Sequence, residues 1–296
     1  MTKTITLKCS AKINLFLEIV GLRPDGFHEV VMLLQSIDLA DTISITTQRE
    51  IGIACDHTQV PTNEENIAYK AVQVMQKALG RKDGALIEIE KKIPVAAGLA
   101  GGSANAAAVM VGLNLLWDGG LTVRDLEKLA QSLGSDVPFC IDGGTALAVG
   151  RGEILSPLLM WKGIPLVLAK PRNLGISTAW VYKTYREQYA KNKPAHTSNL
   201  PILLSGLVHH DLSRVTKHLY NDLERVVLPG HAEVAGLKQR MLAAGASAAM
   251  MSGSGPSVFG LCENNNQALA VLAKISQEDQ EQFLCHTSDA GVVVCG

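Results

Sequence analysis

At 296 residues the chain is long enough for one large domain or two moderate ones, which excludes a small disulfide-stapled scaffold. Hydrophobic residues at 47% and charged residues at 19% support a buried core and leave no room for extensive disorder. Lys plus Arg at 27 against Asp plus Glu at 28 gives a formal net charge of −1, which excludes the broad basic field of a polyanion-coating protein; aromatic residues, at 4%, offer few base-stacking platforms.

The N-terminal MTKTITLKCSAK has no apolar core of signal-peptide type and reads as an alternating strand, so a cytosolic chain is expected. The runs TITLKC, INLFLEIV, VVMLLQSI and DTISITT, within residues 4–20 and 28–48, are rich in β-branched residues and are separated by the turn RPDG, which predicts an opening sheet. Thr62 and Glu65 have capping-box spacing ahead of Ile67, Ala71, Val74, Met75, Ala78 and Leu79 at helical periodicity, with Gly80 as the stop. Residues 85–91, ALIEIEK, alternate as a strand. No charged residue occurs from Ile93 to Trp117, a length that raises a membrane span. Pro94, Gly98, Gly101, Gly102, Ser103 and Asn105 argue instead for a loop followed by a buried helix over 103–117. A second helix follows over 122–133, with Thr122 and Asp125 at its start and Gly134 at its stop. Strands are predicted at 145–149 and 164–169, and the Gly- and Pro-containing stretch 150–165 is the candidate domain boundary. The second half predicts helices near 178–190, 201–218 and 232–243, strand-like ASAAMM and SVFGLC, a helix near 266–275 and two final strands. Strands mixed with helices throughout indicate an α/β or α+β protein. The six cysteines are scattered and form no C-x-x-C pair, so buried reduced thiols are expected rather than a metal or redox motif.

Pro94 to Ala107, PVAAGLAGGSANAA, lies between a strand and an uncharged helix. Small residues let a backbone approach a ligand closely, and amides at a helix N-terminus point at anions, so the physical reading is a phosphate site; a plain glycine-rich connection is the alternative. No Lys precedes Ser103 as in a Walker loop, and the G-x-G-x-x-G spacing is absent. By residue type alone Lys12 could snorkel from a strand end, Asp136 could be a turn or helix cap, Ser103 a helix N-cap and His28 an ordinary surface side chain.

The loop resembles that of the GHMP kinases, P-x3-G-L-x-S-S-A, at Pro94, Gly98, Leu99 and Ser103. Further segments resemble one branch of that family: Ala11 to Leu17 (AKINLFL), Arg23 to His28 (RPDGFH), Gly101 to Ala107 (GGSANAA), Leu133 to Phe139 (LGSDVPF) and Ser252 to Phe259 (SGSGPSVF). The resemblance implies a two-domain α/β fold, residues 1–157 and 158–296, with the active site in the cleft between them. It implies phosphoryl transfer from ATP, accompanied by Mg²⁺ for which no ligating residue is assigned and with no protein-bound prosthetic group, to the 2-hydroxyl of 4-(cytidine 5′-diphospho)-2-C-methyl-D-erythritol. Lys12 and Asp136 would be catalytic, Asp136 accepting the hydroxyl proton and Lys12 favouring the developing charge on oxygen. Pro94, Val95, Ala96, Ala97, Gly98, Leu99, Ala100, Gly101, Gly102, Ser103 and Ala104 would hold the phosphates, and Asn66 would lie near the adenine. Asn14 would position the acceptor, Phe27 and His28 would stack on and bond the cytosine, and Tyr182 would supply a second stacking ring. Ala96, Ala97 and Ala100 stand where some relatives have glycine, and Ala104 replaces a frequent second serine. The partners implied are two small molecules, neither nucleic acid nor membrane, bound by a monomer or weak homodimer. A kinase of the same family for a different small acceptor would have no reason to carry Arg23 to His28, and a non-catalytic ligand-binding relative would be free to lose Lys12 or Asp136.

Overall fold

The β-branched runs at the N-terminus form two long strands, β1 (Thr4–Leu22) and β2 (His28–Gln48), in the computed structural model, which describes residues 3–189 and 199–295. Their antiparallel register runs from Thr4 opposite Thr46 to Leu22 opposite His28 and slips between Ser10 and Lys12, between Asn14 and Phe16, and between Ile19 and Gly21. β3 (Gly52–Cys55), α1 (Ile67–Leu79), β4 (Gly84–Glu90), α2 (Gly101–Leu116), α3 (Val123–Ala130), α4 (Val137–Asp142), β5 (Thr145–Gly150) and β6 (Ile154–Pro157) complete the first half. The second half comprises β7 (Pro165–Pro171), α5 (Thr178–Tyr189), α6 (Leu200–Val208), α7 (Leu212–Lys217), β8 (Tyr220–Asn221), α8 (Glu224–Gly230), α9 (Ala232–Ala244), β9 (Ala248–Met251), β10 (Val258–Leu261), α10 (Asn265–Ile275), β11 (Gln280–His286) and β12 (Val292–Val294).

The first sheet has the order β12-β1-β2-β4-β3, with the β5–β6 hairpin on the early half of β2 and β8 parallel to β1; the second is antiparallel in the order β11-β7-β10-β9. The stretch 150–165 holds β6 as well as loop, and β8 and β12 return from the second half to the first sheet. α2 is buried on nearly every face, as its uncharged sequence requires, and a side chain at Gly112 would collide with Ile45 Cδ1 at 2.5 Å and Leu7 Cδ1 at 2.9 Å. Glycine there lets the helix lie directly on β1 and β2. No helix among the described residues is long and apolar enough to cross a membrane. The six cysteines are free, four of them buried and Cys55 and Cys295 half-buried.

Local differences from expectation have local causes. The Thr62–Glu65 capping box does not form: Asn66 caps α1, accepting from Ala68 N at 2.9 Å and donating to Pro61 O at 2.6 Å, which starts the helix just beyond both residues. The helix expected over 201–218 breaks where His210 turns to φ +50° and Asp211 caps a new helix through Arg214 N. α4, α8 and β8 are too short to show a period in the sequence. Ala190, at the end of the helix expected over 178–190, lies outside the described residues.

Candidate active site

Two of the register slips in β1 flank Lys12 and Asn14, which project to one side of the strand. Lys12 is 4% exposed, and its Nζ donates to Asn14 Oδ1 at 2.8 Å and lies 3.8 Å from Asp136 Oδ2. Asn14 is completed by Met32, with Nδ2 3.4 Å from the sulfur. Asp136 occupies the N-cap position of α4 but makes no capping bond, so its half-buried carboxylate turns toward Lys12. A turn residue by sequence is thus a charged partner of the strand residue.

The phosphate-loop segment runs beneath this pair, tied to β1 by Lys12 N donating to Leu99 O at 3.1 Å. Three of its residues take left-handed backbone: Ala96 (φ +51°), Gly98 (φ +74°) and Ala100 (φ +59°). The two alanines there carry strain that glycine would avoid. At Gly98 a side chain has no room, since its Cβ would lie 2.2 Å from Ser252 O. Ser252 Oγ donates to Gly98 O at 3.1 Å, so the 252–257 segment braces the loop. α2 opens at Gly101 with no side-chain cap, which leaves its first-turn amides without intrahelical acceptors; Ser103 lies within that turn and is not the cap. These amides and the positive helix end form an anion cradle.

Lys12, Asn14, Phe27, His28, Asn66, Pro94 to Ser103, Asp136 and Tyr182 all line one cavity of about 920 Å³. Ala104 is the exception among the residues expected there: its methyl is fully buried in the core. Of positions 103 and 104, only Ser103 presents a hydroxyl to the cavity.

The aromatic side of the cavity differs in detail from expectation. His28 packs on Tyr182 with ring centroids 5.3 Å apart and meets Tyr185 edge-on at 6.4 Å, too close to admit a base between His28 and Tyr182. Phe27 is 54% exposed, with the Arg151 guanidinium 4.9 Å from its ring centroid. Burial, then the charge of Arg186, holds the His28 imidazole below its usual 6.5. Burial, reinforced by Asp136 and Asp222, raises the Tyr182 phenol well above its usual value.

Arg151, Lys183, Arg186 and Lys91 are cavity residues that sequence reasoning missed, whereas Asn105, Gly253 and Ser254, which also line it, lie in the segments Gly101 to Ala107 and Ser252 to Phe259 already singled out. Lys12, Lys91, Arg151, Lys183 and Arg186 line the cavity beside two carboxylates, Glu65 and Asp136, so its lining is mainly cationic in a chain of formal net charge −1; Lys91, Arg151 and Lys183 also pair with Asp41, Glu153 and Glu187 outside it. Arg151 sits between Gly150 (φ +76°) and Gly152 (φ +105°) in the β5–β6 turn. That Gly-Arg-Gly run is the only sequence trace of its position; the lysine and arginine of α5 look like an ordinary solvated face.

Residues 66–144 match the family model described as GHMP kinases N terminal domain, and residues 203–280 match GHMP kinases C terminal. The chain is 51% identical over 293 residues to a protein of Gloeobacter violaceus named 4-diphosphocytidyl-2-C-methyl-D-erythritol kinase, covering 99% of this chain and 97% of the relative. It is 47% identical over 308 residues to the Synechocystis sp. protein of the same name, with 98% of each covered. Among solved structures, a 4-(cytidine 5′-diphospho)-2C-methyl-D-erythritol kinase superposes with a TM-score of 0.78 at 31% identity, over 97% of this chain and 99% of that one. A homoserine kinase from Cytophaga hutchinsonii reaches a TM-score of 0.75 over 99% and 97% of the two chains at 20% identity, a likeness of fold alone.

Proposed function

This chain belongs to the GHMP kinases, and on that premise we propose how its cavity phosphorylates the 2-hydroxyl of 4-(cytidine 5′-diphospho)-2-C-methyl-D-erythritol with ATP, giving the 2-phosphate and ADP on the non-mevalonate route to isoprenoid precursors. The observation that carries the mechanism is the Lys12–Asp136 pair, 3.8 Å apart, in the same cavity as the uncapped N-terminus of α2.

The loop amides and Ser103 hold the β- and γ-phosphates, with the purine directed toward Asn66. The acceptor hydroxyl lies between Asp136 and Lys12. As the bond from its oxygen to the γ-phosphorus forms and the bond to the β–γ bridging oxygen breaks, Asp136 takes the hydroxyl proton. The Lys12 ammonium balances charge on the reacting oxygens, while Asn14 fixes the ammonium's direction by accepting its hydrogen bond. A loose phosphoryl-transfer transition state asks for alignment and charge balance more than for a strong base, and the rigid strand and helix end supply both. Cytosine rests on the open face of Phe27 with His28 at its edge, and Tyr182 backs the His28 ring. The acceptor's diphosphate meets the cationic wall of Arg151, Lys183 and Arg186.

Among the described residues no three His, Cys, Asp or Glu side chains converge to hold a metal. Oxygen donors Ser103 and Asp136 line the cavity and suit Mg²⁺ carried in on the nucleotide's phosphates, where the ion supplies charge neutralisation. Residues 1–157 and 158–296 serve as the two domains, linked by the strands β8 and β12. Six unpaired cysteines fit the reducing cytoplasm.

The test is a coupled ADP-release assay with the cytidine diphosphate acceptor beside mevalonate and homoserine. Turnover of the cytidine compound alone is expected; turnover of only the other two overturns the reading.

A further inference from the structure

Asp41 sits at the centre of a buried polar cluster that the reaction itself does not use. It is 0% exposed and lies in β2 opposite Cys9. One carboxylate oxygen accepts from the backbone amides of Lys92 and Ile93, each at 2.8 Å; the other accepts from Asn105 Nδ2 at 2.7 Å and from the Lys91 ammonium. Lys92 and Ile93 immediately precede the Pro94 loop, and Asn105 lies in the second turn of the helix that the loop enters. One carboxylate therefore joins the entrance of the loop to its exit, spanning the whole anion cradle.

Charge strengthens the case. The Lys91 side chain is 4% exposed, and its Nζ would lie 3.0 Å from a Cβ placed on Gly101, so a buried ammonium sits against the positive end of α2. That arrangement is unfavourable unless a carboxylate neutralises the ammonium. Asn105 Nδ2 is also 3.4 Å from Cys9 Sγ, and burial, with Asp41 adding to it, pushes that thiol up to about 12, so the thiol brings no further charge.

We propose that Asp41 is a positioning residue for nucleotide binding, a carboxylate clamp that sets the spacing of the Pro94–Ser103 loop by holding its entrance to α2 while neutralising Lys91. The inference rests on the loop being the ATP-phosphate site. It is independent of which acceptor the enzyme uses.

The clamp and simple electrostatics predict opposite signs. Asp41→Asn removes a negative charge near the cradle, which on charge alone tightens a polyphosphate; on the clamp reading it releases the loop and weakens it. Calorimetric titration with Mg²⁺ and non-hydrolysable adenylyl imidodiphosphate measures this directly, alongside KM for ATP and for the acceptor. Expected for Asp41→Asn are at least tenfold weaker analogue binding, a parallel rise in KM for ATP, and a KM for the acceptor within twofold of wild type. Tighter or unchanged analogue binding, or an equal change in both KM values, overturns the clamp. If Asp41→Asn does not fold, Asn105→Ala decides, since it removes one of the four donors: faster hydrogen exchange at the Lys92 and Ile93 amides in the ligand-free protein, with analogue binding about threefold weaker at an unchanged acceptor KM, supports the clamp, whereas unchanged exchange at those amides overturns it. A wild-type protein that binds the analogue but does not turn over the cytidine acceptor would sink the proposed reaction and leave the clamp standing.

Discussion

The two ends of the cavity are built by different means. At the phosphate-loop end, recognition is assigned to backbone: one contiguous segment, Pro94 to Ser103, three left-handed residues and an uncapped helix N-terminus, braced by the 252–257 loop. At the other end side chains are gathered from separate elements, namely Phe27 from the β1–β2 turn, His28 from the start of β2, Arg151 from the β5–β6 turn, and Tyr182, Lys183 and Arg186 from α5. The first end is closely packed, with Ala97 at 3% and Leu99 at 1% exposure, whereas Phe27 is 54% exposed. A backbone cradle tolerates little variation in geometry and binds what every nucleoside triphosphate shares. A side-chain wall adapts more freely, and the proposed reaction assigns the reading of acceptor identity to it.

The harshest trial of this division lies at the junction of the two ends. Asp136→Asn should reduce kcat by about 10² to 10⁴-fold with little change in Tm, as measured by steady-state ADP release and thermal melting; near-normal turnover would mean the carboxylate does not take the proton. On the backbone side, Gly98→Ala puts a Cβ 2.2 Å from Ser252 O at a φ of +74°. Strain of about 1–3 kcal/mol should raise KM for ATP roughly tenfold or more, with a lower Tm. Should KM for the acceptor rise as much as that for ATP, the two ends are not separable. On the side-chain side, Phe27→Ala should raise KM for the acceptor about tenfold, as expected from losing a base-stacking face worth about 1–3 kcal/mol, and leave KM for ATP within twofold. Arg151→Gln should act in the same direction by about threefold.

The smallest effect is a titration. Because burial and then Arg186 depress the His28 pKa below its usual 6.5, the neutral imidazole is the folded form near pH 7. His28 thus contributes stability that is present above its unfolded pKa and lost as pH falls through its lower folded value. NMR of the ring protons should place its midpoint below 6.5, and Arg186→Gln should move that midpoint upward. A downward shift, or none, would remove Arg186 from the cationic wall around the base.

How much of this was legible depended on whether the relevant residues are contiguous. β1, β2, α1 and α2 announced themselves by long periodic or uncharged runs, and the loop by its small residues. Ala104 packs in the core instead of lining the cavity because a small residue suits both a close ligand approach and tight helix packing, and only the surroundings of α2 separate the two. The cap of α1 passed from Thr62 to Asn66 because both are good caps and the position of the first helical turn decides between them.

Asp41, Arg151 and Arg186 gave no such signal. A lone charged residue in a strand, a turn or an exposed helix face is ordinary in sequence; Asp41 became a four-donor hub only when β2, the end of β4 and α2 met around it. By itself, then, the sequence determined the long strands and helices, the glycine-rich loop from Pro94 to Ser103 and the placing of Lys12 and Asn14 on one side of a strand, since each depends on neighbours a few residues away. Tertiary structure alone decided that Asp136 turns to Lys12 rather than capping its helix, and that His28 rests on Tyr182. It also gave a nearly neutral chain one cationic cavity. Packing brings distant charges within a few ångströms, where solvent screens them least, and distance along the chain does not encode that meeting.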